Sequence, residues 1–168
     1  MRFLASAVFL RAANVGGSSV FSPAALAKRL DLVNIGAAGT FVARRRVSAR
    51  EIARELPFEL DIVVRPGVEV TKLVAAGPPK VPRNVQLFVV VLVRSPRASP
   101  NLPFERPEGQ NWFLRVLERR GAFVVCARRA EVQRGLDLSA IIQRSFGVPA
   151  TARSWGTMVR VAEALSRL

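Results

Sequence analysis

The chain contains no histidine, no tyrosine and a single cysteine, Cys126. Without histidine there is no Ser-His-Asp triad, no imidazole general base and no Cys/His zinc site. One cysteine forms no disulfide within the chain. Lysine is scarce: Lys28, Lys72 and Lys80 are the only three. Aromatics are limited to ten Phe and two Trp, so any stacking platform for a single strand of nucleic acid relies on Phe. The longest strongly hydrophobic run, Val85 to Val93, has nine residues and is too short to cross a bilayer as a helix. Phe3 to Leu10 resembles a signal h-region but runs into Arg11 and a glycine-containing loop. It reads better as a buried first strand, which makes the cytoplasm the default location and no membrane partner the expectation.

What is abundant is positive charge and apolar surface. Lys and Arg total 26 against 12 Asp and Glu, a formal net charge of +14 on 168 residues, of which half are hydrophobic. A chain of this length buries roughly two thirds of its unfolded surface without staples. Its charge creates a field of several kT that steers anionic partners. RNA, DNA, nucleotides, an acidic protein and an acidic membrane surface are the candidates. The competing reading is a soluble protein with a high isoelectric point and no anionic partner.

Local signals order the elements. Phe3 to Leu10 is a strand. Ala13 to Ser19 is a loop. Ser22 and Pro23 start a helix running to about Leu30, Ser as cap and Pro in the first turn. Leu32 to Ile35 and Thr40 to Arg44 are strands around Gly36-Ala37-Ala38-Gly39. Ser48-Ala49-Arg50-Glu51 is a capping box, whose helix turns Ile52, Ala53 and Leu56 inward and stops at Pro57. Leu60, Ile62 and Val64 alternate as a strand. This β-α-β-β-α-β order is the ferredoxin-like one. Val68 to Ala76 is a short helix closed by Gly77-Pro78-Pro79. Val85 to Val93 is a strand buried on both faces. Ser95 to Gly109, with four prolines, is a long loop. Phe113 to Arg128 is a hairpin around Arg119-Arg120-Gly121, with a helix over Trp112 to Leu117 as the rival assignment. Leu138 to Phe146 is a helix ended by Gly147, and a last helix spans about Ser154 to Arg167. Trp155, Met158, Val159, Ala162 and Leu165 form its inward stripe, with Arg160, Glu163 and Arg167 on a solvated face.

The fold class is therefore α+β with two small subdomains: a ferredoxin-like unit over residues 1–66, a helical linker over 67–82, and a second mixed α/β half over 83–168 ending in the C-terminal helix.

Two stretches carry a family resemblance. One is Phe9-Leu10-Arg11-Ala12-Ala13-Asn14-Val15-Gly16-Gly17. The other is Thr151-Ala152-Arg153-Ser154-Trp155-Gly156-Thr157-Met158-Val159, followed by Ala162-Glu163-Ala164-Leu165. Together they resemble the bacterial family known as domain of unknown function 1697. Its members open with Leu-Arg-Gly-Ile-Asn-Val-Gly-Gly and close with Thr-Arg-Asn-Trp-Asn-Thr before a leucine-rich helix. Here Ala12 and Ala13 replace the Gly and Ile, Ala38-Gly39-Thr40 replaces the family's Ser-Gly-Asn, and Ser154 and Gly156 replace both closing Asn. A polar site built from those groups would be partly lost in this chain. The resemblance implies two ferredoxin-like or similar α+β halves and no established reaction.

Three constellations bear on function. In Arg11, Asn14, Gly16 and Gly17, two glycines let backbone N–H groups approach a ligand, and Arg11 adds a bidentate donor. The pattern also suits a tight turn with positive φ, Asn14 bonding its own backbone. Walker and Rossmann spacings are absent. Arg153 and Trp155, with Thr151 and Thr157, read as a helix cap (Thr151 or Ser154), a core anchor and an Arg on the chain's own carbonyls. In the competing version Arg153 and Trp155 join the glycine loop as one anion pocket. Arg44-Arg45-Arg46, Arg119-Arg120 and Arg128-Arg129 are solvated loop ends, or a phosphate-binding surface if they share a face. RNA-recognition sheets of ferredoxin-like order carry aromatics on central strands; Phe41 is one such aromatic, without a second half to the signature. Glu59 and Asp61 could hold a Mg²⁺ with waters but suit pairing with Arg, Glu51 is used by its cap, and Cys126 reads as a buried inert thiol. No residue set supports a catalytic, metal or cofactor assignment. The expectation is a non-enzymatic protein binding a polyanion, nucleic acid foremost, through its arginines. The alternative is an enzyme or sensor for a small anionic ligand.

Overall fold

The computed structural model describes residues 4–11, 21–36, 39–129 and 137–168. The chain divides into two compact units, Met1–Ala76 with Gly156–Leu168, and Gly77–Trp155. This corrects the expected boundaries. Residues 67–75 are no linker but a helix of the first unit, and the C-terminal helix belongs with the first unit rather than the second.

The first sheet contains β1 (Ser6–Leu10), β2 (Val33–Asn34), β3 (Thr40–Ala43) and β4 (Ile62–Pro66) in the order β2-β3-β1-β4, every neighbour antiparallel. With α1 (Pro23–Leu30) between β1 and β2 and α2 (Ala49–Arg54) between β3 and β4, this is the ferredoxin-like arrangement. The helix starts work as their sequences predict: Ser22 Oγ accepts from Ala25 N–H, and Ser48 Oγ from Glu51 N–H. The Glu51 carboxylate, which the Ser48 backbone N–H helps hold below its ordinary range, also accepts from Arg45 Nη2 at 2.6 Å. Val8, Leu10, Phe41 and Ala43 meet Leu26, Ala27 and Ile52 in one core cluster, and Ala53 is exposed rather than inward.

Directly after β4, α3 (Gly67–Ala75) begins, and a Cβ on Gly67 would stand 2.8 Å from Leu165 Cδ2 and 3.2 Å from the Ala5 carbonyl oxygen. Leu165 lies on α5 (Trp155–Ser166), whose buried stripe is Met158, Val161 and Leu165; Trp155, Val159 and Ala162 are half-buried instead.

The second sheet is antiparallel throughout, in the order β6-β7-β8-β5-β9. Its strands are β5 (Val85–Leu92), β6 (Phe104–Arg106), β7 (Leu114–Arg120), β8 (Phe123–Arg129) and β9 (Ala150–Ser154). The hairpin reading holds, and the rival helix over 112–117 does not form. Two strands went unforeseen: β6 inside the proline-rich segment, and β9 where the sequence suggested a cap before the last helix. One helix, α4 (Leu138–Phe146), joins this sheet's core through Leu138, Ile142 and Phe146. Asp137 caps it, accepting from Ala140 N–H at 3.0 Å, and Gly147 closes it at φ +66°. Val89, Val90, Val91 and Leu92 are fully buried, so β5 is covered on both faces as expected.

Candidate functional site

The site is best built from register. On the α4 side of the second sheet, one cross-strand row reads Arg106, Leu114, Arg128, Gln86. The next row reads Phe104, Val116, Cys126, Phe88, Ser154. Side chains two apart on a strand share a face, so each arginine leans over the ring beside it. The Arg106 guanidinium lies 4.7 Å from the Phe104 centroid, and that of Arg128 4.8 Å from Phe88. On the opposite face of the same end, Arg115 and Arg129 each lie 4.3 Å from the centroid of the buried Trp112. Four arginines, each stacked on an aromatic ring, thus gather where β5 and β7 begin and β6 and β8 end. Arg83, exposed, stands two residues before β5.

Stacking fixes the plane of a guanidinium without using its in-plane N–H donors, the edges that meet phosphate bidentately. Some donors are taken: Arg128 Nη2 by Gln86 Oε1, Arg129 Nη1 by the Gln110 carbonyl, Arg106 Nη1 by the Glu105 carbonyl, and Arg115 Nε by Glu105 Oε1 at 2.8 Å. Arg128 Nε is buried and has no hydrogen-bond partner among the described residues. Glu105 is the carboxylate paired within the cluster, and Glu108 follows in the next loop. Glu105, Gly109, Gln110, Trp112, Arg115 and Arg129 line a shallow open depression.

Of the seven arginines proposed from sequence, the four in the second unit do not gather at one end of its sheet. Arg119 and Arg120 sit at the far end of the hairpin from Arg128 and Arg129, roughly six residues or about 20 Å along the strands. They are occupied there: Arg119 donates to Ser99 Oγ and the Gly121 carbonyl, and Arg120 to the Gly77 carbonyl and Glu118 Oε1. Arg44, Arg45 and Arg46 are exposed in the first unit. Arg45 ties α1 to α2 through the Leu30 carbonyl and Glu51. That hydrogen bond holds the Glu51 carboxyl below its ordinary range and raises Arg45. Arg106 and Arg115 were missed. The signal was the aromatic spacing, Phe104-x-Arg106 and Trp112-x-x-Arg115.

The proposed anion pocket divides otherwise. Asn14, Gly16 and Gly17 lie outside the described residues, so the structure says nothing of that loop. Arg11, ending β1, pairs with Asp61 Oδ2 at 3.5 Å, while its backbone N–H donates to the Asp61 carbonyl. Arg153 is half-buried on β9, where its Nη1 donates to Thr151 Oγ1 and the Ala152 carbonyl. Burial pushes it down to about 10. Thr151 is a buried strand residue, not a helix cap. Cys126 is buried as read, and burial pushes its thiol up to about 12.

No family model, curated protein or solved structure matches this chain. Among the described residues no helix is long and apolar enough to cross a membrane, and no group of three metal-ligating side chains occurs.

Proposed function

We propose that the protein binds a polyanion, nucleic acid foremost, through the cationic end of its second sheet. The observation that carries this reading is the set of four aromatic-stacked arginines at one place. The second unit supports it with thirteen Lys and Arg against five Asp and Glu. Arginines held on aromatic rings are binding groups, so the reading is of a binding protein. The two end motifs support membership of the domain of unknown function 1697 family, which supplies no competing activity.

The test is duplex DNA binding across a salt series. The slope of log K against log salt should fall by about one for each phosphate-contacting arginine removed. A triple variant Arg106→Gln, Arg128→Gln, Arg129→Gln should lose most of the affinity at physiological salt. A control of equal charge change, Arg44→Gln, Arg46→Gln, Arg50→Gln in the first unit, should retain it. Equal loss in both variants would show that only total charge matters and would end the proposal.

A further inference from the structure

The second sheet differs from the first in one way that bears on its ligand. Between β1 and β2 the chain forms α1, which covers part of the first sheet. Between β5 and β7 it forms no helix, only the proline-rich segment and the edge strand β6. The sheet's helix-bearing side is covered by α4, which packs against β5 and β9. Over β6, β7 and β8, the partly buried Leu102, Phe104 and Phe113 pack against the core in place of a helix. Phe88, also partly buried, continues this apolar ground on β5. The stacked guanidiniums of Arg106 and Arg128 stand on the Phe104 and Phe88 rings. Leu114 separates them in the same cross-strand row, two strand spacings or about 10 Å.

The other face offers no such ground. Val89, Val91, Phe123 and Val125 on it are 0–2% exposed.

From these observations, and resting on the phosphate-binding reading above, we infer that the ligand is a single strand of nucleic acid. Its bases stack on the Arg106–Phe104 and Arg128–Phe88 pairs while the guanidinium edges take the phosphates. A guanidinium that lies on a ring has a second flat face, and bases stack on guanidinium planes as they do on aromatic rings. Such stacking tolerates any base, so the binding has little sequence preference. A duplex keeps its bases stacked on one another and offers this surface phosphates alone.

The experiment uses the full chain and a fluorescent DNA single strand of about ten nucleotides, a length within the range that single-strand-binding grooves cover. Three competitors are compared at one salt concentration: the same single strand, an abasic phosphodiester of equal length, and a hairpin duplex of equal phosphate count. The single strand should compete at least about tenfold better than the abasic chain, the effect of one or two stacked bases. Phe88→Leu with Phe104→Leu should erase that gap, read as the ratio of single-strand to abasic affinity within the same variant. The abasic comparison needs no variant, so it stands even where the double substitution unfolds the protein. Equal competition by single strand and abasic chain, or stronger competition by duplex, overturns the inference and leaves the phosphate reading in place. Failure of the labelled strand to bind, with no polyanion bound in a parallel titration, overturns both.

Discussion

The two sheets share one plan. Each places its last strand beside its first, and its first beside the second strand of a hairpin: β4-β1-β3-β2 in one, β9-β5-β8-β7 in the other, with β6 added at the edge. Each has a helix before its last strand, α2 or α4, and a helix starting immediately after it, α3 or α5. They differ in the connection after the first strand. The first sheet has α1 there, and its helix-side core closes with Leu26 and Ala27. The second has a loop and a three-residue edge strand. Strand order is thus kept by backbone pairing and burial, while the connection is free to change. That change leaves Phe104 and Arg106 at the sheet's margin, in the same two cross-strand rows as Phe88 and Arg128. The Arg106–Phe104 pair thus lies in the connection where the first sheet has a helix.

The comparison predicts unequal dependence on the remaining helix. Ile52 on α2 and Ile142 on α4 are both fully buried, each on the helix before the last strand. Truncating a buried Ile to Ala costs about 2–5 kcal/mol, the larger values where the site relaxes least. Ile142→Ala should lie at the upper end, because among the described residues no second helix shares that core. Ile52→Ala should lie lower, since α1 can settle toward the gap. Urea denaturation of both variants measures the difference. A larger loss for Ile52→Ala would break the argument that α4 alone holds its face.

A second contrast lies where strand passes into helix. Gly67 follows β4 and Trp155 follows β9. An indole is accommodated after β9, whereas a methyl group at position 67 meets Leu165 at 2.8 Å and the Ala5 carbonyl at 3.2 Å. Leu165 can rotate, but the Ala5 carbonyl accepts from Gly67 N–H at 2.8 Å and is held. Gly67→Ala should therefore destabilise the protein by about 1–3 kcal/mol, the usual cost of overpacking. Thermal melting checks it. An unchanged or higher Tm would show that α3 shifts freely on the first unit.

These contrasts also show what the sequence could tell. The first sheet was legible because punctuation marks each element: Ser22-Pro23, Ser48 with Glu51, and the positive-φ glycines Gly36 and Gly39. The strand β9 was not. Ala-Thr-Ala-Arg-Ser has little β propensity, and Ala150 and Ala152 are small because α4 packs onto that strand. Strand β6 lies between Pro103 and Pro107, which suit a sheet edge but read equally as a loop. The arginine cluster was half legible. Arg128 and Arg129 stood out as a pair, yet their association with Arg106 and Arg115 depends on register across three strands, which no local pattern encodes. The same register separates Arg119 and Arg120 from them.

The smallest expected effect concerns Cys126, beneath the cluster in the row that holds Phe104 and Phe88. Burial pushes its thiol up to about 12, against roughly 8.5 for an ordinary cysteine. At pH 8 the folded protein therefore keeps this buried thiol protonated, and alkylation proceeds through unfolding. The sign of the linkage follows: a raised folded value contributes stability that is complete below about 8.5 and is lost as pH climbs toward 12. Iodoacetamide labelling at pH 8 should be negligible in buffer and rapid in urea, rising with the unfolded fraction. A bound single strand should slow the residual labelling, because a ligand that binds only the folded state lowers the unfolded fraction. Fast labelling in buffer would mean that the helix-side core of the second sheet opens locally. The missing helix would then have left a mobile margin, not the fixed surface on which Arg106 and Arg128 are stacked.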